Sequence, residues 1–234
     1  MLSIRGVSKS YKDKHILRNI NLEIDEGSVY TIFGPSGAGK TTLLNIIMGL
    51  SYKDEGDIIF KNNILQIPYT KSIRRNIAFI PDSPIYYDYL TGMENLAYLR
   101  EIYNSNISDA KLEEYLDQFN LLKSKDKLFK DYSKGMKQKL MLLSTYISDA
   151  SLIILDEPTV GLDLVSTHEL VQIIRQYKQM KKTVLLATHD VPFSENVSDK
   201  FAVINHGSIV YKGENNRSIK LQDIVLEYLQ KEAI

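Results

Sequence analysis

The stretch GPSGAGKTT at 34–42 constrains this chain more than any other part of its sequence. It matches the pattern G-x-x-x-x-G-K-[ST], whose glycines allow backbone N–H groups to surround phosphate oxygens. The apolar run SVYTIF precedes it, and the run KTTLLNIIM follows it and stops at Gly49. A phosphate-binding loop of this kind lies between a strand and the start of a helix. The flanking sequence fits that order, so a chance match is a poor explanation.

The loop predicts a binding site for the phosphates of a nucleotide. The Lys40 ammonium would reach the β- and γ-phosphates of ATP, and the Thr41 hydroxyl would bind Mg²⁺. The N-terminus of the following helix would add a partial positive charge. We expect the phosphate site to include the whole loop, namely Gly34, Pro35, Ser36, Gly37, Ala38, Gly39, Lys40, Thr41 and Thr42.

Apolar runs elsewhere in the chain predict a buried parallel sheet. The runs are continuous rather than alternating, as in strands that are covered on both faces. They lie at 28–34, 75–80, 151–157 and 183–189. Three further segments look antiparallel, and the last is a hairpin that turns at Asn205-His206-Gly207. These segments are INLEIDEG, GDIIFKNN and KFAVINHGSIVYKG.

Helical patterns replace the strands in the middle of the chain. Thr91 starts a capping-box pattern, and Ser108 can cap a further helix. The chain is therefore predicted to be a single domain with an α/β fold: a P-loop NTPase core with a mainly parallel sheet, an N-terminal antiparallel β subdomain and an inserted α-helical subdomain. The core and β subdomain would comprise residues 1–82 and 151–234, and the insert residues 83–150.

Two adjacent carboxylates, Asp156 and Glu157, end one of the predicted strands. Because successive side chains of a strand point to opposite faces, one carboxylate can face a metal while the other faces elsewhere. We assign Asp156 to Mg²⁺, through water, and Glu157 to the attacking water as general base or orienting group. By themselves these residues fit a strand that runs into a polar turn equally well, and the phosphate loop favours the catalytic interpretation.

His189 follows another predicted strand, TVLLATH. Parallel strands of such sheets deliver their carboxyl ends to the ligand crevice, so a histidine there could hold the γ-phosphate and the attacking water. A hydrogen-bonded histidine in an ordinary turn is the alternative for any lone histidine. We interpret His15, His168 and His206 in that ordinary way.

A second stretch with the character of a phosphate loop, DYSKGMKQKL at 131–140, completes an ordered set of motifs. In their order these motifs resemble the nucleotide-binding domain of ABC transporters, and the resemblance covers nearly the whole chain. The set comprises Tyr11, the loop at 34–42, YSKGM at 132–136, LIILDEP at 152–158, GLD at 161–163 and His189.

The resemblance implies ATP pockets that are shared by two subunits. Ser133 and Gly135 would bind the γ-phosphate of ATP held by the other subunit, which a capping serine and free N–H groups at a helix start can do. Asp163 would line the same interface, and Tyr11 would stack on adenine. Two ATP-binding subunits, as a homodimer or a heterodimer, would face head to tail and enclose two ATP molecules with Mg²⁺.

Two segments depart from the family pattern. The family signature usually reads Leu-Ser-Gly-Gly-Gln, whereas this chain has YSKGM, in which Lys134 adds a positive charge. In IAFIPDSP, Asp82 replaces the glutamine that commonly follows the proline. A carboxylate can accept a hydrogen bond from metal-bound water but, unlike an amide, cannot donate one. We place Asp82 with Thr41 and Asp156 around Mg²⁺.

The function that these motifs predict is ATP hydrolysis that powers transport, with export favoured, through a separate membrane-spanning subunit. The net charge is zero, with 29 basic and 29 acidic side chains, so nucleic acid is not an expected partner. The apolar runs are far shorter than the roughly 20 residues that span a bilayer, and the chain has no cysteine for disulfides or thiolate metal sites. We expect a cytoplasmic protein, peripheral at the cytoplasmic face of the cell membrane.

Two other functions compete with this interpretation. The seven lysines at 123–139 could serve a soluble ABC-type ATPase that acts on nucleic acid or ribosomes, although a solvated helical surface is the ordinary explanation. A nucleotide-sensing module that binds without hydrolysis is the third interpretation, and Glu157 and His189 count against it. The motifs bind ATP and do not identify the transported substrate.

Overall fold

The computed structural model describes residues 1–83, 86–216 and 220–230. Their strands, in chain order, are β1 (Leu2–Tyr11), β2 (Lys14–Ile24), β3 (Val29–Phe33), β4 (Glu55–Phe60), β5 (Asn63–Ile64), β6 (Ile77–Ile80), β7 (Leu152–Asp156), β8 (Thr183–Thr188), β9 (Lys200–Asn205) and β10 (Ser208–Glu214). Their α-helices are α1 (Lys40–Ile47), α2 (Lys71–Arg75), α3 (Gly92–Tyr103), α4 (Asp109–Gln118), α5 (Lys134–Ser148), α6 (Leu164–Gln179), α7 (Val191–Glu195) and α8 (Leu221–Gln230).

The strands form two sheets. One is antiparallel and has the order β2-β1-β4-β5. The other has six strands in the order β10-β9-β3-β8-β7-β6, in which every neighbouring pair is parallel except the β9–β10 hairpin. This architecture confirms the predicted fold class of an α/β protein with a mainly parallel sheet and an N-terminal antiparallel sheet.

Two strand predictions need correction. The strand predicted at 75–80 is shorter, because α2 continues to Arg75 and β6 starts at Ile77. The predicted hairpin is present, with Asn205 paired to Ser208, but β9 is antiparallel on one side alone. On its other side β9 pairs in parallel with β3, so it extends the parallel sheet.

Among the described residues between β6 and β7 lie the α-helices α3, α4 and α5 and two short 3-10 helices, Leu122–Ser124 and Phe129–Asp131. The starts of α3 and α4 follow the predicted caps: Thr91 and Glu94 form a complete capping box, and Ser108 caps α4. Among the described helices, none combines the length and the apolar composition that crossing a bilayer requires.

The division into a core at 1–82 and 151–234 and a helical insert at 83–150 stays a prediction. Residues 84–85, 217–219 and 231–234 fall within those bounds and lie outside the described residues.

The register of the parallel sheet brings several chain segments to one edge. Phe33 pairs with Thr188, and Asp156 pairs with Ala187, so β3, β7 and β8 end side by side. All three strands are fully buried, which matches their continuous apolar sequences. The loops that follow them therefore meet at the carboxyl edge of the sheet, where ligands bind in folds of this kind.

Asn95, on α3, fixes the segment that leads into this helix. The side chain is buried, with 2% of its surface exposed. Its Nδ2 donates to the carbonyls of Tyr87, Leu90 and Thr91, and its Oδ1 accepts from the N–H of Tyr87 at 3.0 Å. One amide thus satisfies four backbone groups, and it holds residues 87–91 in a single conformation.

We expect Asn95→Ala to destabilise the protein by roughly 2–4 kcal/mol, because four hydrogen bonds are lost: the Tyr87 N–H loses its side-chain acceptor, and the carbonyls of Tyr87, Leu90 and Thr91 each lose one donor. Thr91→Ala, which removes one capping bond of the same helix, is the control and should cost about 1 kcal/mol. Urea unfolding at equilibrium measures both. Equal costs for the two variants would contradict the role of Asn95.

Candidate active site

The glycine-rich loop forms a concavity between β3 and α1. Gly39 caps α1 with φ of 106°, a left-handed conformation that favours glycine. A side chain at Gly34 would approach the carbonyl oxygen of Ile204 to 2.5 Å, so that glycine seats the loop against β9. The concavity has a volume of about 370 Å³. Its lining residues are Lys14, Ile16, Pro35, Ser36, Gly37, Gly39, Lys40, Thr41, Thr42 and Glu157.

Most residues of the predicted phosphate loop line this concavity, but Gly34 and Ala38 do not. Gly34 packs against β9, and Ala38 is buried with its N–H donating to the Pro35 carbonyl at 3.1 Å. Lys14 and Ile16, from the start of β2, were not predicted. Their only sequence signal is their position shortly after Tyr11.

The Lys40 side chain is buried within its own loop. Its Nζ donates to the carbonyl oxygens of Gly34 at 2.7 Å and Pro35 at 3.3 Å. It also lies 3.2 Å from Oε1 of Glu157. The ammonium therefore offsets the charge of the carboxylate that sequence analysis assigned to catalysis, and a bound phosphate would compete for it.

Asp156 and Thr41 form a paired site at the end of β7. The Thr41 hydroxyl donates to Oδ2 of Asp156 at 2.8 Å, while the buried Oδ1 has no partner in the described part of the chain. Burial raises the pKa of Asp156, against the hydrogen bond from Thr41, and the nearby charges of Glu157 and Asp82 raise it further. An unpartnered buried carboxylate oxygen beside a hydroxyl fits a hard cation with oxygen ligands such as Mg²⁺.

Glu157 and His189 contact each other at the same edge. Glu157 adopts a left-handed φ of 46°, and its N–H donates to the carbonyl of Ala187 at 2.8 Å. Its Oε2 lies 2.9 Å from Nδ1 of His189 and accepts from the Thr188 hydroxyl at 3.1 Å. Burial opposes ionisation of Glu157, but the hydrogen bond with His189 and the charge of Lys40 outweigh it and lower the pKa. Glu157 is therefore an ionised carboxylate at neutral pH, which a base must be.

Asp82 lies near this edge without joining it. Its charge contributes to the raised pKa of Asp156, but within the described ranges it makes no hydrogen bond to Asp156 or Thr41. Those ranges also contain no cluster of three or more carboxylate or histidine side chains arranged to hold a metal. The placement of Asp82 around Mg²⁺ stays a prediction, and Thr41 with Asp156 is the better-supported pair.

Tyr11 lies outside the lining of the concavity. Half of its surface is exposed, its hydroxyl lies 3.0 Å from Oγ of Ser51, and the Lys9 ammonium lies 5.1 Å from its ring centroid. An exposed ring at the end of β1 can accept a stacking partner. Its contact with adenine stays a prediction.

Ser133 and Gly135 form the start of α5. Ser133 is exposed and caps the helix, since its Oγ accepts from the N–H of Met136 at 3.2 Å. A side chain at Gly135 would meet Oγ of Ser166 at 2.6 Å, so this glycine permits the close approach of α5 and α6. Gly161, in the loop before α6, likewise lies against the Lys134 side chain.

Asp163 caps α6. Its Oδ1 accepts from the N–H of Ser166 at 2.7 Å, and this backbone hydrogen bond is the largest cause of its lowered pKa. Asp163, Ser133 and Gly135 do not line the concavity of the phosphate loop in their own chain. The structure thus brings together Lys40, Thr41, Asp156, Glu157 and His189, and it leaves the three others elsewhere on the surface.

Comparison with known proteins agrees with these motifs. The family model described as ABC transporter matches residues 17–160. The lantibiotic transport ATP-binding protein SrtF of Streptococcus pyogenes is 32% identical, covering 96% of this chain and 95% of its own. The SkfA peptide export ATP-binding protein SkfE of Bacillus subtilis is 29% identical, covering 90% of this chain and 87% of its own.

A solved structure has the same fold. It is a dimeric, post-hydrolysis state of an ATP-binding cassette bound to ADP and Pi, and it is similar to this chain with a TM-score of 0.82. The sequence identity is 26%, and the match covers 92% of this chain and 99% of the solved one.

The geometry predicts opposite effects of Asp156→Asn on stability and on nucleotide binding. Because the folded protein raises the pKa of Asp156, its ionised form is destabilising at neutral pH. The amide should raise Tm at pH 7 by about 2–4 °C, corresponding to roughly 1 kcal/mol, and it should weaken the dependence of ATP affinity on Mg²⁺. Calorimetry and nucleotide titration with and without Mg²⁺ measure the two effects.

The gain in Tm should shrink as the pH falls through the raised pKa, because Asp156 is then neutral in the folded protein as well. A variant that is less stable than the parent at pH 7, with unchanged Mg²⁺ dependence, would contradict the assignment of Asp156.

Proposed function

Because this chain belongs to the ABC transporter family and is an ATPase of that family, we propose that it hydrolyses ATP in pockets shared by two ATP-binding subunits arranged head to tail. The observation that carries the proposal is the separation, within one chain, of the phosphate-loop concavity and the capped start of α5. The phosphate loop has its own concavity, and the capped helix start at Ser133 and Gly135 lies outside it. A second subunit can bring such a helix start to the γ-phosphate.

Binding of ATP would begin with the release of Lys40. The ammonium now contacts two loop carbonyls and Glu157. The β- and γ-phosphates carry more charge than these partners and would draw the ammonium toward them. Glu157 would then be free to act on water.

Thr41 and Asp156 would hold Mg²⁺, with the unpartnered Oδ1 of Asp156 facing the ion or a water bound to it. Bound Mg²⁺ supplies charge neutralisation for the phosphate oxygens.

Glu157 would accept the proton of the attacking water, and His189 would orient that water. The existing contact of 2.9 Å between Nδ1 of His189 and Oε2 of Glu157 supports this pairing. The lowered pKa of Glu157 keeps the carboxylate ionised at neutral pH, which is the form that can accept a proton. Phosphoryl transfer of this kind depends chiefly on position and charge, which these side chains supply.

Hydrolysis would separate the subunits, because the γ-phosphate joins the phosphate loop of one to the helix start of the other. We propose that this cycle drives a separate membrane-spanning subunit at the cytoplasmic face of the membrane, in the direction of export. The names of the relatives, which refer to lantibiotic transport and peptide export, support transport and export. Peptides or antibiotics are the substrate class that they favour.

Three of the seven lysines at 123–139 have partners within the chain, which favours a structural role for them over a nucleic-acid surface. Lys125 lies in an ion pair with Glu113, and Lys139 pairs with Glu169. The Lys137 ammonium lies over the ring of Phe129.

We expect Glu157→Gln to slow ATP turnover by ~10²–10⁴-fold, because the amide cannot accept a proton, while ATP binding persists. The variant should accumulate as an ATP-bound dimer. Phosphate release measures the first effect and size-exclusion chromatography the second.

Glu195→Gln is the control. It makes the same change at an acidic residue at the end of α7, and it should keep the turnover of the parent. Turnover near that of the parent in Glu157→Gln would contradict the role of Glu157.

A further inference from the structure

We propose that Tyr132 is a positioning residue for Ser133: a ring clamp of Tyr86, Phe129 and Tyr132 holds the start of α5 where it can meet ATP bound by a second subunit. The inference rests on the proposed function. It concerns a position at which this chain departs from the leucine of the usual family signature. The contacts of the clamp account for the tyrosine.

The ring clamp is continuous. The centroids of Tyr86 and Phe129 lie 5.4 Å apart, and those of Phe129 and Tyr132 lie 5.8 Å apart. Both distances fall in the range of favourable aromatic pairs. The Lys137 ammonium, one turn into α5, lies 5.0 Å from the centroid of Phe129 and adds a cation–π contact. The clamp therefore contacts the chain on both sides of Ser133, at Tyr132 before α5 and at Lys137 within it.

The hydroxyl of Tyr132 fixes the last ring. It donates to the carbonyl of Ser124 at 2.8 Å, and the side chain is buried, with 5% of its surface exposed. A leucine could not make this bond, and it would leave the Ser124 carbonyl with the Lys127 N–H as its donor. The tyrosine thus ties the residue directly before Ser133 to a point eight positions earlier in the chain.

Gly92 provides the space for that hydroxyl. A side chain at Gly92 would overlap the hydroxyl oxygen of Tyr132. Gly92 is the first residue of α3, a position at which alanine would otherwise be well tolerated. The position of the Tyr132 hydroxyl therefore depends on the absence of a side chain at Gly92.

Backbone hydrogen bonds join the two chain segments that carry the rings of the clamp, 86–93 and 125–132. The N–H groups of Gly92 and Met93 donate to the carbonyls of Lys127 and Lys125. In the opposite direction, the N–H groups of Phe129 and Lys130 donate to the carbonyls of Leu90 and Asp88. The segment 86–93, part of which is hydrogen-bonded to the Asn95 side chain, is thus joined to the segment that ends at Ser133. Tyr132 is the last link between them.

The test uses Glu157→Gln as the parent and measures the ATP concentration that gives half-maximal dimerisation. Tyr132→Leu should raise it by about tenfold or more, since the ring contact and the hydrogen bond are both lost. Tyr132→Phe keeps the ring and loses only the hydrogen bond, so it should raise the value by about fivefold or less. The ADP affinity of the monomer should stay within about twofold in both variants, because the phosphate loop is untouched.

Tyr146→Leu is the matched control. Tyr146 also lies on α5 within an aromatic cluster, with Phe119 and Tyr177 as neighbours, but it is about 18 Å along the helix from its start. The control should lower Tm without changing the ATP dependence of dimerisation. A loss of dimerisation equal to that of Tyr132→Leu would show a general effect of stability and would overturn the proposal.

Gly92→Ala provides a second test of the clamp, because it displaces the Tyr132 hydroxyl without replacing any of the three rings. It should weaken dimerisation in the parent, and it should have no added effect in Tyr132→Leu, where the overlapping hydroxyl is absent. Full dimerisation of Tyr132→Leu, or additive effects of the two substitutions, would overturn the inference. Failure of the parent itself to dimerise with ATP would overturn the proposed function and this inference with it.

Discussion

Two carboxylates leave the buried strand β7 side by side, and one ammonium, that of Lys40, offsets them. The arrangement of side chains at the carboxyl edge of the sheet depends on this excess of negative charge. Asp156 has a raised pKa and one oxygen without a partner among the described residues, while Glu157 contacts Lys40 and His189 and has a lowered pKa. Environment thus gives the adjacent carboxylates different properties: Asp156 has a buried oxygen that a cation could use, while its partners keep Glu157 ionised. Both consequences follow from where β7 ends relative to the glycine-rich loop.

The parallel sheet provides that geometry, and the capped helix start of α5 complements it. Inside the chain, Lys40 forms an ion pair with Glu157. In the proposed function, the phosphates of ATP compete with Glu157 for Lys40, and a second subunit contributes Ser133. The closeness of Gly135 to Ser166 and of Gly161 to Lys134 means that the start of α5 and the loop before α6 form one surface. Helix capping at Ser133 and Asp163 orders both sides of that surface.

Short stretches of sequence were sufficient to predict the parts of the site that consist of consecutive residues. The glycine-rich loop, the carboxylates at the end of β7, the capping box at Thr91 and the cap at Ser133 each depend on a few consecutive residues. The contacts of Lys40 with Glu157, and of Tyr132 with Gly92, join residues far apart in the chain, so no short pattern reveals them. Continuous apolar runs predicted the parallel sheet, but they did not show that β9 would join it, because one strand can pair differently on its two sides.

Complementation between defective subunits tests the shared pockets most directly. Lys40→Ala disables the phosphate loop, and Ser133→Asp keeps the helix cap while setting a negative charge against the γ-phosphate. In a Glu157→Gln background, each variant alone should stay monomeric with ATP. Their mixture should form heterodimers that hold one ATP, because one of the two pockets combines an intact loop with an intact Ser133. A mixture that stays monomeric, while the parent with both residues intact dimerises, would contradict the account.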